Sequence, residues 1–191
     1  MDQLVVFGLG RVGLPVAITA VEKGFKVSGV DIDEEKVSTI NSGEKPWEDG
    51  ESNEIADEIN ATTQPSSVVP DADVILVCVP TPLDSDFDVD LSNVEAVFDS
   101  LAPDLSPNTP VIIESTIPPG TTKQIGKSVI KSGSELHDSE IHLAHCPERI
   151  DPGSEDEWPL ESIPRVYGGV TPEAADRTRE FYSRLLDADL H

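Results

Sequence analysis

An apolar run that breaks into spaced glycines, Leu4-Val5-Val6-Phe7-Gly8-Leu9-Gly10-Arg11-Val12-Gly13, constrains this chain more than anything else in it. The three glycines have separate uses. Gly8 permits a tight turn out of a strand, Gly10 lets a pyrophosphate approach the backbone, and Gly13 lets the next helix pack closely on the sheet. That helix is expected from about Arg11 to Lys23 with Val12, Val16, Ala20 and Val21 inward, and Lys26 to Asp31 reads as a second strand. Together they make a βαβ unit. Asp31 stands 18 positions past Gly13, close to the ~20 expected of a carboxylate that accepts hydrogen bonds from adenosine ribose hydroxyls. A carboxylate there repels a 2′-phosphate, so the unit reads as a site for NAD rather than NADP, with the phosphates over the N–H groups that open the helix. Two plainer accounts stand beside this one. Glycine turns also serve simple chain reversal, and Asp31 could instead N-cap a helix from Asp33 to Ile40.

The rest of the chain keeps the same rhythm. Strands are expected at Ala61 to Thr63, Ala72 to Val79, Pro110 to Glu114, Ile141 to His145 and, briefly, Arg165 to Tyr167. Helices are expected from about Asn93 to Leu101, Thr121 to Lys131 and Pro172 to Leu186, the last opened by Thr171 as cap and proline at the first helical position. Asn41 to Asn60 reads as a loop with a short surface helix, and Cys146 to Asp156 as a loop. This is the α/β pattern of a doubly wound, Rossmann-type, mostly parallel sheet with helices on both faces, in one domain over residues 1–191. In such sheets ligands lie across the carboxyl ends of the strands. The glycine turn, Asp31, Val79-Pro80-Thr81-Pro82, Glu114-Ser115-Thr116 and Cys146-Pro147-Glu148-Arg149 should therefore meet at one crevice.

Charge narrows the partners. With 37 acidic and 13 basic residues the net charge is −24, which argues against nucleic acid or an anionic membrane surface. The acids are spread over several loops and helix faces, an arrangement that resembles proteins of salt-loving archaea or bacteria, where salt screens the self-repulsion. No apolar stretch approaches the ~20 residues of a membrane span, and the chain opens directly into a core strand. A cytoplasmic protein is expected. Cys78 and Cys146 have no metal-ligand spacing and fit a reducing compartment.

Four segments in order resemble the nucleotide-sugar 6-dehydrogenases, the UDP-glucose and UDP-N-acetylhexosamine dehydrogenase family. They are Gly8-Leu9-Gly10-Arg11-Val12-Gly13-Leu14-Pro15 with Gly29-Val30-Asp31-Ile32-Asp33, then Val77-Cys78-Val79-Pro80-Thr81-Pro82, then Ser115-Thr116-Ile117-Pro118-Pro119-Gly120, and Cys146-Pro147-Glu148-Arg149-Ile150-Asp151-Pro152-Gly153. The resemblance implies NAD contacts from the backbone at Arg11 and Val12 and from Asp31, Thr81 and Thr116, with Lys36 adding one to the adenosine ribose. It implies that Glu148 is an acid or base acting through water, with Thr116 beside it, and that Arg149 and Ile150 touch a UDP-sugar. The Glu-Arg-Ile-Asp-Pro-Gly form is closer to the UDP-N-acetylmannosamine and UDP-N-acetylglucosamine enzymes than to those for UDP-glucose. The implied reaction turns the sugar's C6 alcohol into a carboxylate with two NAD and one water, through aldehyde and thioester stages. The family's cysteine nucleophile and catalytic lysine would lie beyond residue 191, as would most of the surface of a homodimer, so the chain is expected to bind NAD and to be inactive alone.

Plainer roles compete at each position. Thr81 and Thr116 could satisfy local turns, Lys36 could be a solvated helix lysine, and Glu148 with Arg149 could form an ion pair. Cys146 is not expected to be catalytic, and Cys78 is assigned to the core. The acidic loop Asp84 to Asp90 has oxygen ligands at calcium-loop spacing but Val89 at the position that needs glycine, and the four histidines show no zinc pairing, so no metal is expected. Two rival readings remain: the cofactor domain of a 6-phosphogluconate or 3-hydroxyacyl-CoA type dehydrogenase, and a stand-alone NAD-binding regulatory module.

Overall fold

In the computed structural model, which describes residues 2–46, 58–131, 133–149 and 160–191, the first apolar run is strand β1 (Gln3–Phe7), buried from Leu4 onward. Helix α1 (Gly13–Glu22) follows, then β2 (Lys26–Val30) and helix α2 (Glu34–Asn41). The remaining strands are β3 (Asn60–Thr62), β4 (Val74–Val77), β5 (Pro110–Ile113), β6 (His142–His145) and β7 (Gly168–Gly169). The remaining helices are α3 (Ser92–Leu101), α4 (Thr121–Lys131) and α5 (Pro172–Leu185). Residues 47–57 of the segment expected as loop and short helix, and 150–156 of the later loop with the three residues after it, lie outside the described residues.

The strands form one sheet in the order β3-β2-β1-β4-β5-β6-β7, parallel throughout except for the antiparallel β6–β7 edge. Side chains alternate across a strand, so each buried strand feeds two cores. Leu4 and Val6 of β1 join Val74 and Leu76 of β4 on the face closed by Leu14, Val16, Ala17 and Ala20 of α1 and Phe181, Tyr182 and Leu185 of α5. Val5, Phe7, Ile75 and Val77 point the other way, to Val94, Phe98 and Leu101 of α3 and Ile125 and Val129 of α4. Helices on both faces of a parallel sheet are the expected doubly wound arrangement, and the near-continuous apolar runs of β1, β4 and β5 are its sequence signature.

Two local expectations are corrected. Val12 precedes α1 and is half-buried, whereas Val21 packs against the core and Leu14 and Ala17 join Val16 and Ala20 in it. Arg165 to Tyr167 is not a strand. The Arg165 N–H donates to the Asp189 carbonyl and its own carbonyl accepts from His191 N–H, both at 2.9 Å, so this backbone is held by the 189–191 segment and the pairing with β6 passes to Gly168 and Gly169. Thr171 caps α5 as expected, its hydroxyl accepting from Ala174 N–H at 3.1 Å.

Candidate functional site

Strand order reverses at β1, whose neighbours are β2 on one side and β4 on the other, and at such a point the loops after the two strands diverge and leave a crevice. A cavity of about 700 Å³ opens there. Its walls bring together Gly8, Gly10, Arg11 and Val12 after β1, Asp31 and Lys36 after β2, Thr81 after β4, Thr116 after β5 and Glu148 after β6. Five segments that the sequence keeps far apart therefore meet as expected. Arg149 is exposed and lies outside this wall, its Nη1 donating to the Pro164 carbonyl at 3.0 Å. Ile150 lies outside the described residues.

The glycine turn is shaped by steric demands that differ residue by residue. Gly8 has a φ of +89°, a conformation that costs an L side chain, and a Cβ there would sit 2.7 Å from the Cys78 carbonyl oxygen. A Cβ on Gly13 would lie 1.9 Å from the Gly8 carbonyl oxygen, so α1 can start this close to the turn only with glycine. Gly10 is different: a Cβ there meets no protein atom within 4 Å. The protein's own packing does not require glycine at 10. No side chain caps the N-terminus of α1 and no acid stands in its first turn, so its dipole faces the crevice uncompensated, which suits a diphosphate.

Asp31 is buried and held in place. Its Oδ2 accepts from Leu9 N–H at 2.8 Å and from Lys36 Nζ at 2.7 Å, and its Oδ1 accepts from Asp33 N–H at 3.1 Å. A carboxylate offers about four acceptor sites, so three are used and one remains on Oδ1. The N-cap of α2 is Asp33, whose side chain accepts from Glu35 and Lys36 N–H. Capping is thus done by the neighbour. Lys36 is not a free solvated lysine but the ion-pair partner of Asp31.

Thr81 joins two walls, donating its hydroxyl to the Thr116 carbonyl at 2.8 Å, while Thr116 itself is exposed at the crevice. Glu148 is half-buried, and its backbone N–H donates to the Glu114 carbonyl at 3.2 Å. Burial pushes its carboxyl up to about 7; Arg165 opposes that rise and Glu114 adds to it. A carboxyl that titrates near neutrality can both give and take a proton at working pH.

Cys78 packs against the core as expected and also lines the crevice: it is half-buried, and its Sγ donates to Glu114 Oε2 at 3.8 Å. Burial pushes that thiol well above its usual range, and Glu114 adds to the rise. Cys146 is buried and its thiol is pushed up to about 12, by burial first and then by Glu114. Neither is the reactive thiolate that nucleophilic chemistry needs.

Sequence reasoning assigned no role to Glu114, Arg165 or Tyr182. Glu114 is 1% exposed at the end of β5 and accepts a hydrogen bond from the Tyr182 hydroxyl of α5. Its one sequence signal was an acid placed directly after the four buried residues of β5. Ile32, 95% exposed beside Asp31, and Pro65 were also passed over; both line the crevice.

Comparison with known proteins agrees with this geometry. Residues 2–186 match the sequence model of the UDP-glucose/GDP-mannose dehydrogenase family, NAD binding domain. A UDP-N-acetyl-D-mannosamine dehydrogenase of Methanocaldococcus jannaschii is 37% identical over 99% of this chain and 44% of its own length. One from Salmonella typhi is 36% identical over 96% of this chain and 46% of its own. The solved UDP-D-ManNAc dehydrogenase of Pyrococcus horikoshii superposes with a TM-score of 0.89 at 31% identity, covering 98% of this chain and 46% of that one. The chain thus spans under half the length of these relatives.

Proposed function

This chain belongs to the UDP-glucose/GDP-mannose dehydrogenase family, of which it holds the NAD binding domain, and from that premise we propose that it is the cofactor half of an enzyme oxidising the C6 alcohol of a UDP-N-acetylhexosamine to a uronate. The observation that carries the reading is the meeting of the glycine turn, Asp31, Thr81, Thr116 and Glu148 at one crevice. The UDP-N-acetyl sugar is preferred because the Glu-Arg-Ile-Asp-Pro-Gly segment has that form and because similar relatives carry that name.

The residues fit NAD. The open space at Gly10 and the uncapped start of α1 suit the pyrophosphate, with Arg11 and Val12 supplying backbone beside it. The remaining acceptor site of Asp31 suits a ribose hydroxyl, and Ile32 and Pro65 offer apolar faces to the adenine. Bound there, NAD supplies the hydride acceptor, two equivalents carrying the carbon from alcohol to acid while water provides the second oxygen. Thr116 orients the water or the ribose from the end of β5, and Glu148 holds or releases the proton that water gives up. Arg149 and Ile150 are the substrate contacts that the resemblance of this segment implies. The cysteine nucleophile and the lysine are supplied by the rest of the enzyme, since the two thiols here are both protonated. The whole enzyme acts as a homodimer in the cytoplasm and makes a uronate building block of polysaccharide.

Calorimetric titration with NAD tests the site. The wild-type chain should bind, Asp31→Ala should bind at least about tenfold more weakly, equivalent to ~1.4 kcal/mol, and the 191-residue chain should not turn over UDP-N-acetylmannosamine with NAD. Equal affinity in the variant defeats the ribose contact. Turnover by the chain alone defeats the division of labour.

A further inference from the structure

Beside the crevice wall lies a group of ionisable side chains that cofactor binding does not explain. Arg165 is 1% exposed and is the largest fully buried side chain described. Its backbone is clamped to residues 189 and 191, yet its Nε and Nη1 have no hydrogen-bond partner among the described residues. A buried guanidinium with unmet donors is strongly disfavoured unless carboxylates compensate it. Two are at hand. Glu114 is fully buried in the crevice wall, and Glu148 lines the same crevice with an Oε1 that is itself buried and unpartnered. Arg165 draws both carboxyls down. The backbone sets the three side by side: Glu148 N–H donates to the Glu114 carbonyl at 3.2 Å, and the next residue, Arg149, is tied to Pro164, which precedes Arg165.

Apart from Arg149, the other titratable groups around this set are neutral. Tyr182 of α5 donates to Glu114 and burial pushes its phenol well up. Cys78 after β4 and Cys146 after β6 are protonated thiols. Burial lowers His145 of β6, whose Nε2 faces the Ser115 carbonyl at 3.2 Å. Arg149 is charged but exposed. One buried cation therefore stands against two carboxylates.

We propose that Arg165 is the positioning residue for Glu148: its buried guanidinium has unmet N–H donors that match the unmet Oε1 at the crevice, and Glu114, fully buried, is the second carboxyl its charge compensates. Glu148 is the carboxyl nearer solvent, half-buried where Glu114 is 1% exposed, so it is the one that exchanges a proton with the crevice. The inference rests on Glu148 being the crevice acid or base, and it adds the residues that make it one.

The test follows the Glu148 side-chain carboxyl by 13C NMR through a pH titration of the 191-residue chain, assigned with Glu148→Gln. The wild-type midpoint is expected at about 7. Arg165→Met should raise it by about one unit or more, Arg165→Lys should restore most of the difference, and Glu114→Gln should lower it. A merely structural role would unfold the chain or leave the midpoint in place. Where Arg165→Met does not fold, Glu114→Gln decides, since it keeps volume and hydrogen-bonding capacity: a lower midpoint supports the proposal and an unchanged one overturns it. NAD is titrated into the wild type in the same buffer. Absent binding defeats the cofactor reading, whereas a midpoint indifferent to these substitutions defeats this inference alone.

Discussion

Adding one methyl group at Gly10 or at Gly13 should separate ligand binding from folding. At Gly13 the new Cβ would lie 1.9 Å from the Gly8 carbonyl oxygen, which is backbone and cannot rotate away. A carbon and a carbonyl oxygen need roughly 3.3 Å, so α1 or the turn must move by about 1.4 Å against cores closed by Leu14, Val16 and Ala17. Overpacking of this kind costs about 2–3 kcal/mol, and for a domain of this size that lowers the unfolding midpoint by roughly 4–12 °C. At Gly10 no protein atom lies within 4 Å of the methyl and φ is not positive. Gly10→Ala should leave stability unchanged or raise it by about 0.5 kcal/mol through a less flexible unfolded chain. It should nevertheless weaken NAD at least about tenfold, because the methyl takes the space the diphosphate needs. Thermal unfolding by circular dichroism and calorimetric titration with NAD read the two effects. If Gly10→Ala destabilises as much as Gly13→Ala, or binds NAD as tightly as wild type, the assignment of the open space to the pyrophosphate is wrong.

Other expectations follow from charge and burial. Asp31→Ser should narrow the preference for NAD over NADP by about tenfold or more, because it removes the repelling carboxylate and releases Lys36 toward a 2′-phosphate; competition binding of the two cofactors reads it, and an unchanged ratio refutes it. We propose that the acidic surface is built for salt: between about 0.1 and 1 M KCl the screening length falls from about 10 to about 3 Å, and the unfolding midpoint should rise by about 5 °C or more. A flat salt dependence would remove that reading. His142 is buried, with its Nε2 3.2 Å from Asn108 Oδ1, and burial lowers it below its usual 6.5, with Arg177 assisting and Glu173 opposing. The unfolded chain therefore binds the extra proton, and the stability from neutral His142 is present above pH 6.5 and lost as pH falls through the lowered value. Replacing it with Gln should shrink the drop in urea midpoint between pH 7 and pH 5.5.

Much of the site was legible because its signals are local. The glycine spacing, the apolar run before it and the carboxylate after the second strand all lie within about thirty residues of one βαβ unit, where the chain's own geometry fixes the contacts. Cys78 follows the four buried residues of β4 and packs against the core as their continuation, but its second place, on the crevice wall, emerges only where the strand ends meet. Arg165 and Tyr182 carry no local mark, and Glu114 only its position directly after the buried β5 strand. Glu114 and Tyr182 are 68 positions apart, and Arg165 sits in a segment that resembles an ordinary edge strand until the 189–191 backbone takes its hydrogen bonds.

By itself the sequence determined most of the sheet-forming runs, the helices between them, the glycine turn and the acid after the second strand, because periodicity, steric exclusion and short spacing act along the chain. Tertiary structure alone decided how far each crevice carboxyl is withdrawn from water and that a buried arginine acts on both. Burial raises Glu114 and Glu148, Arg165 draws both down, and these elements meet only when the sheet is complete.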